Sequence, residues 1–161
     1  MKTTRTGFTV VEMMLVLIIL AITAVLGLDV LANTEASMRA DRAAREALTA
    51  IKYARSLAVT TGGVYGVEFD TANARFQVFQ ATGSNVVGQP MCAGATYVIN
   101  LTSAELKGTT MTATITGDAT NPYDVTFAPL GTTTNSGTVV FTYAGYKRTV
   151  TIPTVGEPTI N

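Results

Sequence analysis

The first apolar segment of the chain is long enough to cross a membrane as a helix. Residues 7–28 form a predominantly apolar run that contains a single ionisable side chain, the carboxylate of Glu12. A span of roughly 20 apolar residues is sufficient to cross a bilayer as a helix. The pattern therefore predicts a transmembrane segment over residues 8–28.

The following segment, residues 29–61, has the pattern of an amphipathic helix. It is rich in alanine and other good helix formers. Its apolar side chains recur every three or four residues, which places them on one helix face. The members of this face are Ala40, Ala44, Ala47, Leu48, Ile51, Ala54, Leu57 and Ala58. We predict one helix from residue 8 to about residue 60, ended by the glycine pair Gly62-Gly63.

The remainder of the chain, residues 62–161, alternates between apolar and polar positions as β-strands do. Strands are predicted at residues 64–69, 75–79, 96–101, 111–115, 123–127, 138–143 and 146–152. The stretch 80–95, with its glycines and a proline, predicts an irregular loop, and the tail 153–161 is expected at the surface. The predicted fold class is α+β, with a long N-terminal helix packed on a C-terminal antiparallel β-sheet domain.

The charges near the start of the chain predict its orientation in a membrane. Lys2 and Arg5 precede the apolar run with no acid between them, which favours retention of residues 1–7 in the cytoplasm. A carboxylate inside a bilayer costs on the order of 2.5–3.5 kcal/mol, so Glu12 is interpreted as functional. A free α-amino group, on the same chain or on a neighbour, would be a suitable partner for it.

The residues Gly7-Phe8-Thr9-Val10-Val11-Glu12 resemble the processing motif of type IV pilins and type II secretion pseudopilins. The resemblance implies that residues 1–7 are a leader, which a prepilin peptidase/methyltransferase removes between Gly7 and Phe8 before Phe8 is N-methylated. Glu12 would then set the register between this subunit and other pilins or pseudopilins in a filament. The implied location is the inner membrane, as a single-pass protein with an extracytoplasmic C-terminal domain, and then a periplasmic pseudopilus or a cell-surface pilus.

Two other interpretations of the apolar segment remain. An ordinary secretory signal has an apolar core of about 7–15 residues and a small-residue cleavage site. Here the core is longer, although Val30-Leu31-Ala32 would serve as a weak site. A plain membrane anchor explains the length of the segment but does not explain Glu12.

Stretches elsewhere in the chain narrow the resemblance to the GspH/FimT branch of minor pilins. They are residues 54–59 at the predicted helix end and residues 125–131, 136–139 and 148–152 in the C-terminal half. The branch implies a structural subunit, present in few copies near a filament tip. The major subunit of a pilus is an alternative that differs in copy number.

Composition argues against an enzyme and against an internal disulfide. The 161 residues carry no net formal charge, no histidine and a single cysteine, Cys92, which we expect to be a buried or partly buried small side chain. Without histidine no ordinary hydrolase triad can form. No catalytic residue and no cofactor is therefore predicted.

The sequence does not predict nucleic-acid binding, although a DNA-binding competence pilin is the second hypothesis. Some FimT-like proteins bind DNA through a Gly-Arg-x-Arg element, and this chain has Gly156-Glu157-Pro158-Thr159 at the matching place. From Gly62 onward there are four basic and six acidic residues. Neutralisation of phosphates by basic residues is the main source of non-specific DNA affinity.

One group of oxygen-bearing side chains resembles a possible calcium site. Asp118, Asn121 and Asp124 cluster in a predicted loop, and Glu68 and Asp70 flank a strand end. Calcium binds oxygen ligands of this kind. The spacing matches no defined calcium loop, so a turn capped by Asx side chains is favoured and no metal site is assigned.

Overall fold

The computed structural model describes residues 7–83, 85–90, 95–116 and 124–161, except for the side chains of residues 25–32. The chain divides into two compact units, Met1–Glu35 and Ala36–Asn161. The described residues form the helix α1 (Val10–Thr61) and the strands β1 (Tyr65–Asp70), β2 (Arg75–Gln80), β3 (Asn85–Val86), β4 (Val98–Asn100), β5 (Thr110–Thr116), β6 (Asp124–Phe127), β7 (Ser136–Tyr143), β8 (Tyr146–Ile152) and β9 (Thr159–Ile160). Five residues named above lie outside this description: Lys2, Arg5, Cys92, Asp118 and Asn121.

The strands form two antiparallel sheets. The first has the order β3-β2-β1-β6, and β4 also pairs with β2. The second has the order β5-β7-β8-β9. Tyr143 pairs with Tyr146, and the two residues between them, Ala144 and Gly145, have φ values of +46° and +88°. Positive φ at both positions matches a two-residue hairpin turn between the strands predicted at residues 138–143 and 146–152.

The C-terminal part of α1 packs against both sheets through alanine side chains. Ala40, Ala44, Ala47, Ile51, Ala54 and Ala58 are fully buried, as predicted. Ala36, Ala43 and Ala50 are buried as well, while Leu48 and Leu57 are only half-buried. The helix ends at Thr61 because Gly62, with φ of +69°, turns the chain and its N–H donates to the carbonyl of Ala58 at 3.1 Å.

Aromatic side chains join the two sheets beneath this helix. Phe76 of β2 lies in an edge-to-face arrangement with Phe141 of β7, with ring centroids 6.2 Å apart. Phe76 also contacts Phe69 of β1 at 6.0 Å, and all three rings are fully buried. Edge-to-face pairs of this kind stabilise a core beyond the area that they bury. The α+β fold class is thereby confirmed.

Two segments predicted to be irregular or superficial contribute strands instead. Residues 80–95 include β3, whose Val86 pairs with Phe79 of β2. In the tail, Ile160 pairs with Val150 of β8 and packs against the core, and Pro158 is buried. These strands are two residues long, too short for alternation to be recognised in the sequence. The tail prediction holds for residues 154–157, which are exposed.

Gly137 of β7 lies where the backbones of two strands approach closely. A Cβ atom added at Gly137 would lie 2.2 Å from the carbonyl oxygen of Thr114 and 2.7 Å from the Cα of Ile115, both in β5. Contacts this short cannot be relieved by a side-chain rotation, because both neighbours are backbone atoms. Glycine is therefore required at this position.

We expect Gly137→Ala to lower the free energy of unfolding of residues 36–161 by about 1–3 kcal/mol, because the added methyl group overpacks the strand pair. Gly88→Ala is the matched control, since a Cβ there would meet nothing closer than 3.7 Å. The control should change stability by less than about 0.5 kcal/mol. Urea denaturation measures both, and equal effects of the two substitutions would contradict the steric argument.

Candidate processing and assembly site

The three residues singled out for processing and assembly lie at the exposed start of α1. Gly7 and Phe8 precede the helix, and Glu12 lies in its first turn. The side chain of Phe8 is 73% exposed, and a Cβ atom added at Gly7 would meet nothing within 4 Å. The junction between Gly7 and Phe8 is therefore sterically open.

A neighbouring residue, Thr9, caps the helix and was not recognised from the sequence. The backbone N–H of Glu12 donates to the Thr9 hydroxyl at 3.3 Å, and the N–H of Met13 donates to the Thr9 carbonyl at 3.2 Å. Thr9 and Glu12 have the threonine-x-x-glutamate spacing of a capping box, which was available as a sequence signal. A carboxylate in the first turn also interacts favourably with the helix dipole.

The first turns of α1 expose large apolar side chains on every side. Between Phe8 and Ile22, these side chains have exposed fractions of 43% to 79%. They are Phe8, Val10, Val11, Met13, Met14, Leu15, Val16, Leu17, Ile18, Ile19, Leu20 and Ile22. Contiguous apolar surface of this extent is rare on monomeric soluble proteins and marks an interaction site.

The hydroxyl group of Thr23 is bonded within the helix. The hydroxyl of Thr23 lies 3.0 Å from the carbonyl oxygens of both Ile19 and Leu20 and donates to them. Such back-bonding satisfies a hydroxyl without water. Glu12 is then the only ionisable side chain between residues 7 and 24. Among the described residues, no helix reaches the length and hydropathy expected of a segment that spans a membrane.

In the second unit, the C-terminal turns of α1 contact the loop that corresponds to the DNA-binding element. Arg55 donates from Nη1 to the carbonyl of Gly156 at 3.0 Å. Lys52 forms an ion pair with Glu157, with Nζ and Oε2 3.7 Å apart. These residues line a groove of about 430 Å³ together with Ser56, Val59 and Thr60. The negative charge of Glu157 therefore offsets the positive charge of Lys52.

The basic pair Lys147-Arg148 does not form an isolated cationic patch. Arg148 lies 3.5 Å from Oδ1 of Asp41 on α1, while Lys147 is exposed. Arg45 also bonds Asp41, with Nε and Oδ2 2.6 Å apart. This hydrogen bond, together with the positive charges of Arg45 and Arg148, lowers the pKa of Asp41. Arg148 thus links β8 to the helix.

Two of the carboxylates considered for calcium, Asp70 and Glu68, are hydrogen-bonded to neighbouring side chains. Both carboxylate oxygens of Asp70 accept hydrogen bonds from Asn73, from its backbone N–H at 3.0 Å and from its side-chain amide at 2.7 Å. These bonds, with a smaller contribution from Arg75, lower the pKa of Asp70. Glu68 accepts a hydrogen bond from Gln77 at 2.6 Å. Within the described ranges, no group of three or more candidate ligand residues is close enough to hold a metal ion.

A known protein family matches most of the second unit. The family model for type II transport protein GspH matches residues 43–156. The chain belongs to the GspH family. The match extends from the buried part of α1 to the loop at Gly156, so it does not include Gly7, Phe8 or Glu12. No curated protein sequence matches the chain.

Solved structures of pseudopilins and pilins share the fold of this GspH-family protein. The minor pseudopilin EpsH from the type II secretion system of Vibrio cholerae aligns with a TM-score of 0.59 and 16% identity, over 77% of this chain and 94% of that one. The type IV minor pilin FimU of Pseudomonas aeruginosa aligns with a TM-score of 0.52 and 18% identity, over 76% and 87% of the two chains. At these identities the likeness establishes a pilin-like fold.

Family membership fixes the general class of the protein. It has the pilin-like fold of the minor pseudopilins and minor pilins of type II secretion systems and type IV pili. Its family is one of structural subunits that associate with other pilins or pseudopilins in a filament.

We expect residues 36–161 to show no salt-sensitive DNA binding in a gel shift at low and moderate salt. Glu157 offsets Lys52, and the two arginines of the DNA-binding element are missing. The double variant Glu157→Arg/Thr159→Arg is the positive control, because it rebuilds the DNA-binding element at two exposed positions. Tight and salt-sensitive retardation by the unmodified domain would contradict the expectation.

Proposed function

We propose that this protein is a minor pseudopilin that is cut between Gly7 and Phe8 and assembled into a type II secretion pseudopilus through α1. The observation that carries the proposal is the exposed apolar start of α1, with its single carboxylate, on a chain of the GspH family. A type IV pilus is the second candidate assembly, because FimU has the same fold.

Processing by a prepilin peptidase/methyltransferase is supported by the geometry of the junction. The bond between Gly7 and Phe8 lies before the first helical residue, Val10, in exposed chain. An enzyme can therefore reach it without unwinding a helix. Cleavage would leave the α-amino group of Phe8, which becomes N-methylated, four residues before Glu12.

Insertion in the inner membrane is proposed from the sequence of residues 8–28 and from the exposed side chains between Phe8 and Ile22. In lipid every backbone polar group must be bonded internally, and a helix satisfies this requirement. The hydroxyl of Thr23 is bonded within the helix as well. Lys2 and Arg5 would hold the leader in the cytoplasm and deliver residues 29–161 to the outer face.

Glu12 is the proposed register residue. A carboxylate in an apolar environment is stabilised only by a partner of opposite charge or by hydrogen bonds. The N-terminal amine of a neighbouring subunit provides such a partner when two helices pack at the correct axial offset. Other offsets leave both charges unpaired, so the pair selects one register while the surrounding apolar side chains contribute packing.

We expect Glu12→Leu to stay in the membrane but to lose incorporation into filaments by about a hundredfold or more. Breaking a buried ion pair by removing one partner costs about 3–5 kcal/mol, which corresponds to that factor. The measurement compares the variant in membrane fractions and in purified filaments by quantitative immunoblotting. Incorporation at the wild-type level would contradict the proposed role.

The matched control is Thr9→Ala, which separates register from capping. It removes the hydroxyl that caps α1 and costs about 0.5–2 kcal/mol of helix stability, while the charge of Glu12 remains. We expect this variant to be incorporated nearly as well as the wild type. If Thr9→Ala and Glu12→Leu failed equally, Glu12 would act through the helix cap and not through subunit register.

We expect Gly7→Ala to block processing, so that the protein accumulates with residues 1–7 attached and with Phe8 unmethylated. Among the described residues the added methyl group meets no atom within 4 Å, so the loss would report recognition by the peptidase and not a change of fold. Intact-mass analysis of the membrane-extracted protein detects the retained leader. Val10→Ala, at an exposed position beyond the junction, should be processed normally. Processing of Gly7→Ala at the wild-type rate would contradict the assigned junction.

A further inference from the structure

The strands at the sheet edges differ greatly in length. Within the described residues, β3 and β9 have two residues each, β4 has three and β6 has four. The edge strand β5 has seven residues and pairs only with β7 in that part of the chain. Short edge strands limit unwanted pairing with other chains. β5 is the edge that lacks this protection.

β5 also lacks the sequence features that commonly protect an edge strand. Its sequence, Thr110-Met111-Thr112-Ala113-Thr114-Ile115-Thr116, contains no charge, no proline and no glycine. It pairs with β7 continuously over all seven residues, without a bulge. Charges, prolines and bulges are the usual means by which proteins block pairing at an edge. Among the described residues, no strand other than β7 bonds to the backbone of β5, so its outer N–H and C=O groups can pair with an added strand.

The outward face of the second sheet presents hydroxyl groups with little charge. Thr110, Thr112, Thr114 and Thr116 are all exposed. Across the strands, Thr114 pairs with Thr138, which pairs with Thr151, which pairs with Thr159. Threonine favours strands, and threonine pairs across strands are stabilising. A strand added beside β5 would continue this face and would meet no charged side chain on β5.

The alternation of threonine and apolar residues in β5 is the same when the strand is followed from either end. When a second β5 runs antiparallel and Ala113 lies opposite its own copy, Thr110 faces Thr116 and Thr112 faces Thr114. On the inner face, Met111 lies opposite Ile115. Both side chains are buried against the core, so the added strand extends the apolar layer. Every threonine thereby meets a threonine and every apolar side chain meets an apolar one.

From this self-complementarity we infer that β5 is a pairing site for a second copy of this chain. The two copies form a continuous eight-stranded sheet across a two-fold axis at Ala113. An isologous contact of this kind closes on itself. The outer edges of the combined sheet are then the two β9 strands, whose two residues offer little to a third copy.

The register of the pair is defined by the side-chain pattern. A shift of one residue would place threonines on the core face and apolar side chains on the outer face. A shift of two residues preserves the faces but leaves residues at the strand ends unpaired. The centred register is therefore the one that pairs all seven residues.

The expected association is weak in solution. A single pair of edge strands covers less surface than the roughly 1,200 Å² that stable complexes bury. The pairing surface lies in the second unit, whereas the exposed apolar side chains between Phe8 and Ile22 lie in the first.

Sedimentation equilibrium of residues 36–161 over a range up to about millimolar concentration tests the inference. This fragment contains the whole hydrophobic core of the described chain, so it is suitable as a soluble domain. We expect a reversible dimer whose dissociation constant Thr112→Lys raises about tenfold or more, because lysine blocks edge pairing. Thr159→Lys, at the exposed position of the opposite edge, should leave the dimer unchanged.

Cysteine cross-linking tests the register directly, with Cys92→Ser as the background. A mixture of Thr112→Cys and Thr114→Cys chains should form an intermolecular disulfide, because these positions lie opposite each other with Cβ atoms about 4.5–5.5 Å apart. Thr112→Cys alone, or mixed with Thr116→Cys, places the thiols diagonally at about 7–8 Å and should cross-link far less. The same mixtures of full-length chains in detergent should give the same pattern.

Several results would overturn the inference. A domain that stays monomeric at millimolar concentration would exclude the pairing site. A dimer that survives Thr112→Lys would place the contact elsewhere. Equal cross-linking of all three cysteine combinations would exclude the centred register. If β5 bound only a different pilin and copies of this chain did not associate, a second copy would not be the partner.

Discussion

The domain depends on the close packing of the alanine face of α1 against two sheets. Because the buried helix positions are mostly alanine, the helix contributes little side-chain volume, and the bulk of the core comes from the sheets. Phe69, Phe76 and Phe141 supply that bulk and join the two sheets to each other. Gly137 permits a close approach of the backbones of β5 and β7. A larger side chain at any of these positions would separate layers whose stability depends on their contact.

The same helix changes character along its length, and this change relates the fold to the proposed function. From Ala36 onward its apolar side chains are buried or half-buried, apart from the exposed Met38 and Val59, whereas the large apolar side chains between Phe8 and Ile22 are all exposed. Exposed apolar surface of that extent is stable only when something else covers it. Lipid before assembly and neighbouring helices after assembly would provide equivalent cover, so transfer between them requires little change in apolar burial. In the proposed function Glu12 differs, because its carboxylate needs a partner of opposite charge that lipid does not provide.

Much of this organisation follows from local sequence patterns. The helix from residue 8 to about residue 60, its end at Gly62 and the longer strands are predicted by periodicities of 3.6 and 2, which depend on near neighbours in the chain. β3 and β9 could not be predicted in this way, because two-residue strands carry no period and exist only through pairing with Phe79 and Val150. The contact of Arg148 with Asp41 likewise joins residues far apart in sequence. The cap at Thr9 could have been recognised from its spacing to Glu12. The assignments of Gly7, Phe8 and Glu12 depend on a resemblance and remain predictions.

In the proposed function, α1 becomes an assembly helix after the leader is removed at Gly7. Mass spectrometry of the N-terminal peptide from the native host, taken from both membranes and filaments, shows directly where the mature protein begins. We expect a peptide that begins at an N-methylated Phe8 in both fractions. A peptide that begins at Met1 in the filament fraction, or a mature protein trimmed near Ala32, would contradict it.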